Sequence, residues 1–418
     1  MSEQARQRHL GLGSLLALGI NGIVGVGIFF APQEIAKLAP GWTSIAVVGG
    51  TGLALVPVAL AVSTMGRRFD EDGGPVLYAR VAFGEAAGFI VGWLAYTAAL
   101  FSMSAVLSGF MGALFGDRGD WFVRGAAVAL LTVLTLVAST GVKISARVWS
   151  SLTVLKLLPL IGLAVIASLL PAASGPAVLT PAGETHWLRA ALTATFVFQG
   201  FEIVPVVAGQ AKGAARNIPI AVLGSLAIST LLYIALIRGA VTGVRDLAEQ
   251  GSPLVATASA YGGARMAWLV KTGLNVSSLG IAFAMVATTP RFLSSLAPKS
   301  RFAVETSSGV PRAALWTTWA VVVVLVLIGK LGELLTLSSL SVVMQYLLVA
   351  VVLAKFGLER KRDLTPLRAW SAVPTAIVAI ALIAGAHARE WAVAAGTCAL
   401  GAALFVAQRS LSARAAPR

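Results

Sequence analysis

Long runs of apolar residues, separated by short polar connectors, fill almost the whole of this 418-residue chain. A run of about 18 or more apolar residues is typical of a helix that crosses a membrane. The pattern therefore predicts an all-α polytopic membrane protein with twelve spanning helices and no separate soluble domain. The predicted spans are 10–39, 42–65, 83–115, 121–140, 147–170, 187–212, 218–240, 262–297, 313–329, 333–356, 369–386 and 391–408.

The composition agrees with a membrane protein. Hydrophobic residues make up 57% of the chain and charged residues 12%, whereas soluble domains carry about 25% charged residues. The net charge of +15 would suit a nucleic-acid partner if the basic residues were clustered. They are instead scattered through short connectors, so we expect a lipid bilayer as partner and no nucleic acid.

Basic residues are more frequent in one set of connectors than in the other. The positive-inside rule places the richer set on the cytoplasmic side, and both termini with it, in a multi-pass protein of the cell membrane. The richer set contains Arg67, Arg68, Arg80, Lys143, Arg147, Lys212, Arg216, Arg291, Lys299, Arg301, Arg312, Lys355, Arg360, Lys361 and Arg362, and the poorer set Arg118, Arg124, Arg189, Arg245 and Arg389.

Three glycines, Gly22, Gly25 and Gly27, interrupt the middle of the first span. Each glycine costs a helix interior about 1 kcal/mol relative to alanine. Unpaired backbone at membrane depth is tolerated where protein covers it or where it lines a water-filled cavity. The pattern predicts a broken helix, 10–21 and 28–38. The alternative is that these glycines only let neighbouring helices pack closely.

A broken helix offers both kinds of ligand that an amino acid needs. The N-terminus of a half-helix binds a carboxylate, and unwound carbonyls bind an ammonium group. The sixth span is interrupted as well, because Gln199, Gly200 and Glu202 lie at its middle and Pro205 follows. A glutamate at that depth costs at least about 2.5–3.5 kcal/mol, so it should face a cavity or a partner. The alternative is that Glu202 only satisfies backbone left open by the break.

The two interruptions occupy corresponding positions, each in the first helix of a five-span block. An odd number of spans inverts the second block relative to the first, and paired broken helices in such blocks indicate a transporter site. The whole chain, 1–418, is then one transmembrane domain. It consists of a first repeat at 1–170, an inverted second repeat at 187–357 and two additional helices at 369–408.

At these motifs the chain resembles the amino acid–polyamine–organocation (APC) permeases. GIVGVGIF in the first span is similar to their G-x-G-I-F motif, and GGPVLYARVAFGEAAGFIVGW to their G-G-x-Y-x-Y…G…G-F-x-x-G-W signature. FVFQGFE, followed by GQAKGAARNIPIAV, resembles F-x-G-F-E and N-P-x-R-x-x-P-x-A-I. Leu77, Ala79, Gly213 and Ala214 depart from these patterns. The resemblance implies a LeuT-like 5+5 inverted repeat plus two C-terminal helices, with helices 1 and 6 broken.

The resemblance also implies an amino-acid site between the first and sixth helices. By position, the backbone N–H groups of Val26 and Gly27 would hold the substrate carboxylate. The carbonyls of Ile23, Phe196 and Gln199 would receive the amino group, with Gly25 and Gly200 beside them at the breaks. The Phe196 ring would close over the substrate as a gate, with Glu202 supporting the gating movement. The alternative for Phe196 is an ordinary core or lipid-facing aromatic.

Lys156 lies well inside the fifth span, where a lysine is costly unless it is paired or neutral. Proton-coupled members of the family carry a lysine there, at the place where sodium-coupled relatives bind an ion. The resemblance implies that the Lys156 ammonium takes the ion's place beside a first-helix carbonyl, such as that of Gly22, and the hydroxyls of Ser277 or Ser278. We therefore expect proton coupling and no sodium. The alternative is that Lys156 snorkels to the cytoplasmic face, as Lys271 is expected to do at the outer face.

The spans offer almost no buried acid besides Glu202, although a cationic side chain would need carboxylates or aromatic cages. The expected pocket neighbours Ala95, Tyr96 and Ala98 are small or aromatic. The sequence thus favours uptake of a neutral, apolar amino acid.

The runner-up hypothesis is exchange of an amino acid against an amine. A channel would show filter motifs, and an enzyme would need clustered catalytic side chains. Because the histidines lie outside or at the ends of spans, we expect no enzyme, metal or cofactor. Those histidines are His9, His186 and His387.

Overall fold

The computed structural model describes residues 10–69, 71–141, 146–172, 183–298 and 300–414, with backbone alone at 146–154, 362 and 409–414. The predicted cytoplasmic termini, 1–9 and 415–418, lie outside these ranges. The described residues form α1 (Leu12–Ile23), α2 (Gly27–Leu38), α3 (Trp42–Ala54), α4 (Val56–Gly66), α5 (Gly74–Phe83), α6 (Glu85–Phe115), α7 (Asp120–Ser139), α8 (Ala146–Leu169), α9 (Trp187–Phe198), α10 (Ala214–Gly243), α11 (Pro253–Leu296), α12 (Arg312–Ile328), α13 (Leu331–Leu358), α14 (Ala372–Ile383) and α15 (Ala388–Arg414).

Eight helical segments in the described ranges are long and apolar enough to cross a bilayer, and the α1–α2 pair, bent by 45° at its break, makes a ninth. Leu155–Leu169, α12 and α14 are apolar but shorter. The chain is therefore a polytopic all-helical membrane protein. The count of twelve spans stays a prediction, because it requires these three shorter helices to cross as well.

Two connectors contain more helix than the apolar pattern indicates. The polar stretch before α6 forms α5, which follows Gly73 and Gly74, both with positive φ. Residues ahead of the eighth predicted span continue α11 back to Pro253, across a kink at Gly263 with φ of 63°. Hydrophobic periodicity did not reveal either segment, because α5 is short and the first part of α11 precedes the apolar run.

The two interrupted spans lie at the centre of the bundle. α1 packs against α10 and against the 3₁₀ segment that continues the sixth span, while α2 packs against α9. α13 runs along α6 and also contacts α9. This arrangement places the ends of α1 and α9 side by side and surrounds them with α6, α10, α11 and α13.

One end of the bundle, here termed the closed face, is held by backbone pairing. Leu10 N–H donates to the Gln210 carbonyl at 3.0 Å, and Lys212 N–H donates to the Leu10 carbonyl at 2.9 Å. The Asp72 carboxylate accepts the Gly209 N–H at 3.0 Å and the Gln210 side-chain amide at 2.9 Å. These bonds join the start of α1, the connector before α5 and the end of the sixth span.

A cavity of about 960 Å³ lies at the far end of the α1–α2 span from the Leu10 pairing. Its mouth carries both signs of charge, and Arg189 in its wall forms a bidentate ion pair with Glu390 that ties α9 to α15. The closed face and this cavity lie at opposite ends of the α1–α2 span. The cavity lining includes Glu34, Lys37, Ser108, Asp120, Arg124, Thr193, Glu249, Lys330, Glu333 and Thr336.

Candidate binding site between two broken helices

The first break consists of Val24, Gly25 and Val26, which lie between the end of α1 and the start of α2. The chain turns sharply there, since Gly25 N–H donates to the Ile23 carbonyl at 2.7 Å. The first N–H groups of a helix have no intrahelical acceptor, so those at the start of α2, including Gly27, are available to a ligand. The break thus presents the positive end of α2 inside the bundle.

The second break follows α9. Gln199 is extended, with φ of −60° and ψ of 142°, and Gly200 has φ of 124°, which favours glycine. Gly200 N–H, the donor four residues after Phe196, bonds instead to the Glu202 carboxylate at 2.9 Å. The Phe196 carbonyl therefore loses its helical partner. The chain continues as the 3₁₀ segment Phe201–Gln210.

The two breaks touch through backbone alone. A Cβ atom on Gly22 would lie 2.8 Å from the Gly200 carbonyl oxygen, so any side chain there would force the two segments apart. Gly25 differs, because a Cβ atom there would meet only Ile281 Cδ1 at 3.8 Å and the Ile23 carbonyl oxygen at 3.9 Å. Gly22 and Gly200 therefore allow close approach, whereas a Cβ atom on Gly25 would make only ordinary van der Waals contacts.

Tyr233 on α10 bridges the two breaks, a role that sequence reasoning missed. Its buried hydroxyl lies 2.8 Å from the Ile23 carbonyl oxygen and 3.0 Å from that of Val197. A hydroxyl has one proton and so donates to one of these carbonyls at a time. The available signal was a tyrosine in the middle of the otherwise apolar seventh span, since a buried tyrosine usually finds a hydrogen-bond partner.

The structure brings the other proposed substrate ligands to the same place. The Phe196 ring packs over the start of α2, where a Cβ atom on Gly27 would lie 2.8 Å from the ring. The Ile23 carbonyl already accepts from Gly25 N–H and from Tyr233. Glu202 also accepts a hydrogen bond from the Tyr346 hydroxyl at 3.3 Å. The structure thus places Phe196 and Glu202, the residues predicted to act in gating, beside the two breaks.

Lys156 points into the bundle from α8, with only 3% of its surface exposed. Its ammonium lies 3.4 Å from the Asn21 carbonyl oxygen, one residue before the predicted Gly22. Ser277 and Ser278 on α11 are buried, and within the described part of the chain their hydroxyls have no hydrogen-bond partner. A burial this complete is the opposite of snorkelling, in which the charged head reaches water.

A neutral polar cluster, composed of Ser102, Gln199, Ser338 and Ser339, adjoins the second break. Ser338 donates to Gln199 Oε1 at 3.2 Å, and Gln199 Nε2 donates to Ser339 Oγ at 3.3 Å. Ser102 Oγ lies 2.7 Å from Ser338 Oγ. The sequence singled out the backbone carbonyl of Gln199 and not its side chain, because the two serines bonded to the amide lie on α13, about 140 residues away along the chain.

Known proteins are similar to this chain along nearly its whole length. The family model described as Amino acid permease matches residues 10–410. A proposed arginine/ornithine antiporter of Escherichia coli (strain K12) is 30% identical, over 84% of this chain and 83% of its own length. Two proteins of Bacillus subtilis (strain 168) are also similar. A branched-chain amino acid permease is 25% identical over 84% of this chain and 82% of its own length. A glutamate/serine transporter is 26% identical over 85% and 73%.

Proposed function

This chain belongs to the amino acid permease family of the APC superfamily, and from that premise we propose that it takes up neutral amino acids by proton-coupled alternating access. The relatives are transporters and not enzymes. The observation that carries the proposal is the backbone contact between Gly22 and Gly200, which brings two opened helix ends side by side. Opened helix ends in paired positions are the usual setting of a transporter site.

In the proposed site the N–H groups of Val26 and Gly27 hold the substrate carboxylate at the positive end of α2. The carbonyls of Phe196 and Gln199 receive the amino group at the negative end of α9. The Ile23 carbonyl joins them when the Tyr233 hydroxyl rotates and donates its hydrogen bond to the Val197 carbonyl instead. Both ends of a zwitterion are then matched without any charged side chain.

The hydrogen bonds of Glu202 favour a neutral substrate. Glu202 accepts from Gly200 N–H and the Tyr346 hydroxyl, so its charge is committed to the break. A cationic substrate side chain buried beside it would need a further counter-charge. This argument favours neutral over cationic amino acids.

Proton coupling is assigned to Lys156. Protonated, the ammonium joins α8 to the carbonyl end of α1 and can engage the unpartnered Ser277 and Ser278 hydroxyls on α11. Neutral, it releases α1, and the closed face can open. A bound sodium ion would have to occupy the place of the Lys156 ammonium, so no sodium dependence is expected.

For topology we propose that Leu155–Leu169, α12 and α14 also span the membrane, giving twelve helices with both termini cytoplasmic. The repeats are 1–170 and 187–357, with 369–408 outside them. The closed face then lies on the cytoplasmic side and the cavity on the outer side.

Exchange is the second candidate, favoured by the E. coli relative, whose name is that of an antiporter. Thermal shift with the twenty amino acids, followed by uptake into proteoliposomes with an empty or an amino acid-loaded lumen, tests the proposed function. We expect neutral amino acids to stabilise the protein and to be taken up under an inward proton gradient into liposomes with an empty lumen. Uptake that requires an internal amino acid or amine would favour exchange, and stabilisation only by arginine or ornithine would contradict the neutral assignment.

A further inference from the structure

The neutral polar cluster has hydrogen-bonding capacity that its own contacts do not use. Gln199 Oε1 accepts one bond, from the Ser338 hydroxyl, and Nε2 donates one, to Ser339 Oγ. An amide has two acceptor sites and two N–H donors. Within the described part of the chain, one acceptor site and one N–H group of the Gln199 amide therefore have no partner.

The cluster lies between the cavity lining and the second break along the same helices. Thr193 and Thr336 line the cavity. Gln199 follows Thr193 by less than two helical turns, just past the end of α9, and Ser339 follows Thr336 by less than one turn on α13. Ser102 precedes the cavity-lining Ser108 by less than two turns along α6. A substrate that reaches the opened end of α9 therefore meets the Gln199 amide.

We propose that this cluster forms hydrogen bonds with the substrate side chain. It thereby selects neutral amino acids with a hydroxyl or amide group over apolar ones of the same size. The inference rests on the proposed function, because it needs an amino acid held at the two breaks. An apolar side chain would strip water from the free N–H and carbonyl oxygen of Gln199 without replacing those hydrogen bonds. A site built to hydrogen-bond its substrate rejects the analogue that lacks the group.

Small and already bonded side chains adjoin the cluster. Ala98 on α6 adds only a methyl group there, and its carbonyl oxygen lies 3.4 Å from Ser338 Oγ. Tyr96 does not compete for the substrate, because its hydroxyl bonds to Thr318 on α12 at 3.0 Å. The small residues that favoured an apolar substrate at the level of sequence thus lie beside side chains that can form hydrogen bonds.

The test compares isosteric substrates in proteoliposomes that contain the full-length protein. Uptake of threonine is measured against valine, and of asparagine against leucine, for wild type, Gln199→Leu and Ser339→Ala. We expect wild type to prefer threonine over valine by roughly tenfold, about the worth of one hydrogen bond to a buried amide. Gln199→Leu should bring this ratio close to one, and Ser339→Ala, which frees the amide to rotate, should lower it partway.

Three results would overturn the inference. Wild type that takes up valine as well as threonine rejects the selective role while leaving neutral amino acid transport in place. An unchanged threonine-to-valine ratio in both variants means that the cluster only ties α6, α9 and α13 together. If wild type takes up no neutral amino acid, the proposed function fails and the inference fails with it. Should Gln199→Leu not fold, the wild-type and Ser339→Ala ratios still decide.

Discussion

Glycines with the same sequence signature have different roles at the first break. Gly22 is required for close approach, since a Cβ atom there would collide with the Gly200 carbonyl. A Cβ atom on Gly25 would make only ordinary contacts. Both were predicted from their place in an apolar span. Their separate roles depend on the distance to another helix, which the local sequence does not contain.

Gly25→Leu should abolish substrate binding while the protein still inserts and folds. The branched side chain would extend toward Ile281 into the space that the substrate carboxylate is expected to occupy. We expect affinity to fall by at least roughly a hundredfold, corresponding to about 3 kcal/mol. Equilibrium binding to purified protein measures this, with Gly50→Leu on the exposed side of α3 as control. Normal affinity in Gly25→Leu would remove Gly25 from the site.

Glu202→Gln should slow transport by roughly tenfold and change substrate affinity by less than about threefold, because the lost charge supports the break and does not touch the substrate. Its two donors, Gly200 N–H and the Tyr346 hydroxyl, hold the break in its present shape. Uptake rates and binding affinity are measured in parallel, with Tyr346→Phe removing one donor alone. Wild-type transport by Glu202→Ala would show that the carboxylate has no part in gating.

At the scale of elements, the breaks were predictable because glycine, proline and a buried acid interrupt otherwise apolar spans. The predicted gap between residues 21 and 28 is wider than the observed one, in which α1 continues to Ile23 and α2 begins at Gly27. The Tyr233 bridge and the Gln199 cluster were not predictable, since each joins residues that are distant along the chain. Periodicity reports which face of a helix is buried but not which helix covers it.

A disulfide between Leu10→Cys and Ala211→Cys should lock the closed face. These residues form an isolated parallel bridge, and paired strands lie about 4.7–4.9 Å apart, within the Cα separation that a disulfide accepts. In a Cys398→Ser background, oxidation should stop transport, and reduction should restore it. Substrate should still bind from the cavity side.

The two single-cysteine variants control for oxidation elsewhere, and mass spectrometry verifies that the bond has formed. Full transport by the fully cross-linked protein would mean that α1 and the end of the sixth span do not separate during the cycle. The closed face would then be a fixed part of the fold.

At the scale of the whole molecule, the closed face, the cavity at the opposite end and the proposed site between them correspond to one state of the proposed alternating-access cycle. The other state requires the Leu10 and Asp72 contacts to open and the cavity to close. A ligand or proton shifts such an equilibrium only by binding the two states differently. In the proposed cycle Lys156 would meet this requirement, since its contact with the Asn21 carbonyl is made on α1, the helix that we propose to move.

The most direct measurement is amino acid uptake into proteoliposomes under an imposed inward pH gradient or an imposed inward sodium gradient, for wild type and Lys156→Ala. Lys271→Ala, which removes an exposed lysine from α11, is the matched control. Wild type and Lys271→Ala should accumulate substrate with the pH gradient and ignore sodium. Lys156→Ala should keep some binding or exchange but lose proton-driven accumulation. Sodium-driven accumulation by wild type, or undiminished proton-driven accumulation by Lys156→Ala, would contradict the mechanism.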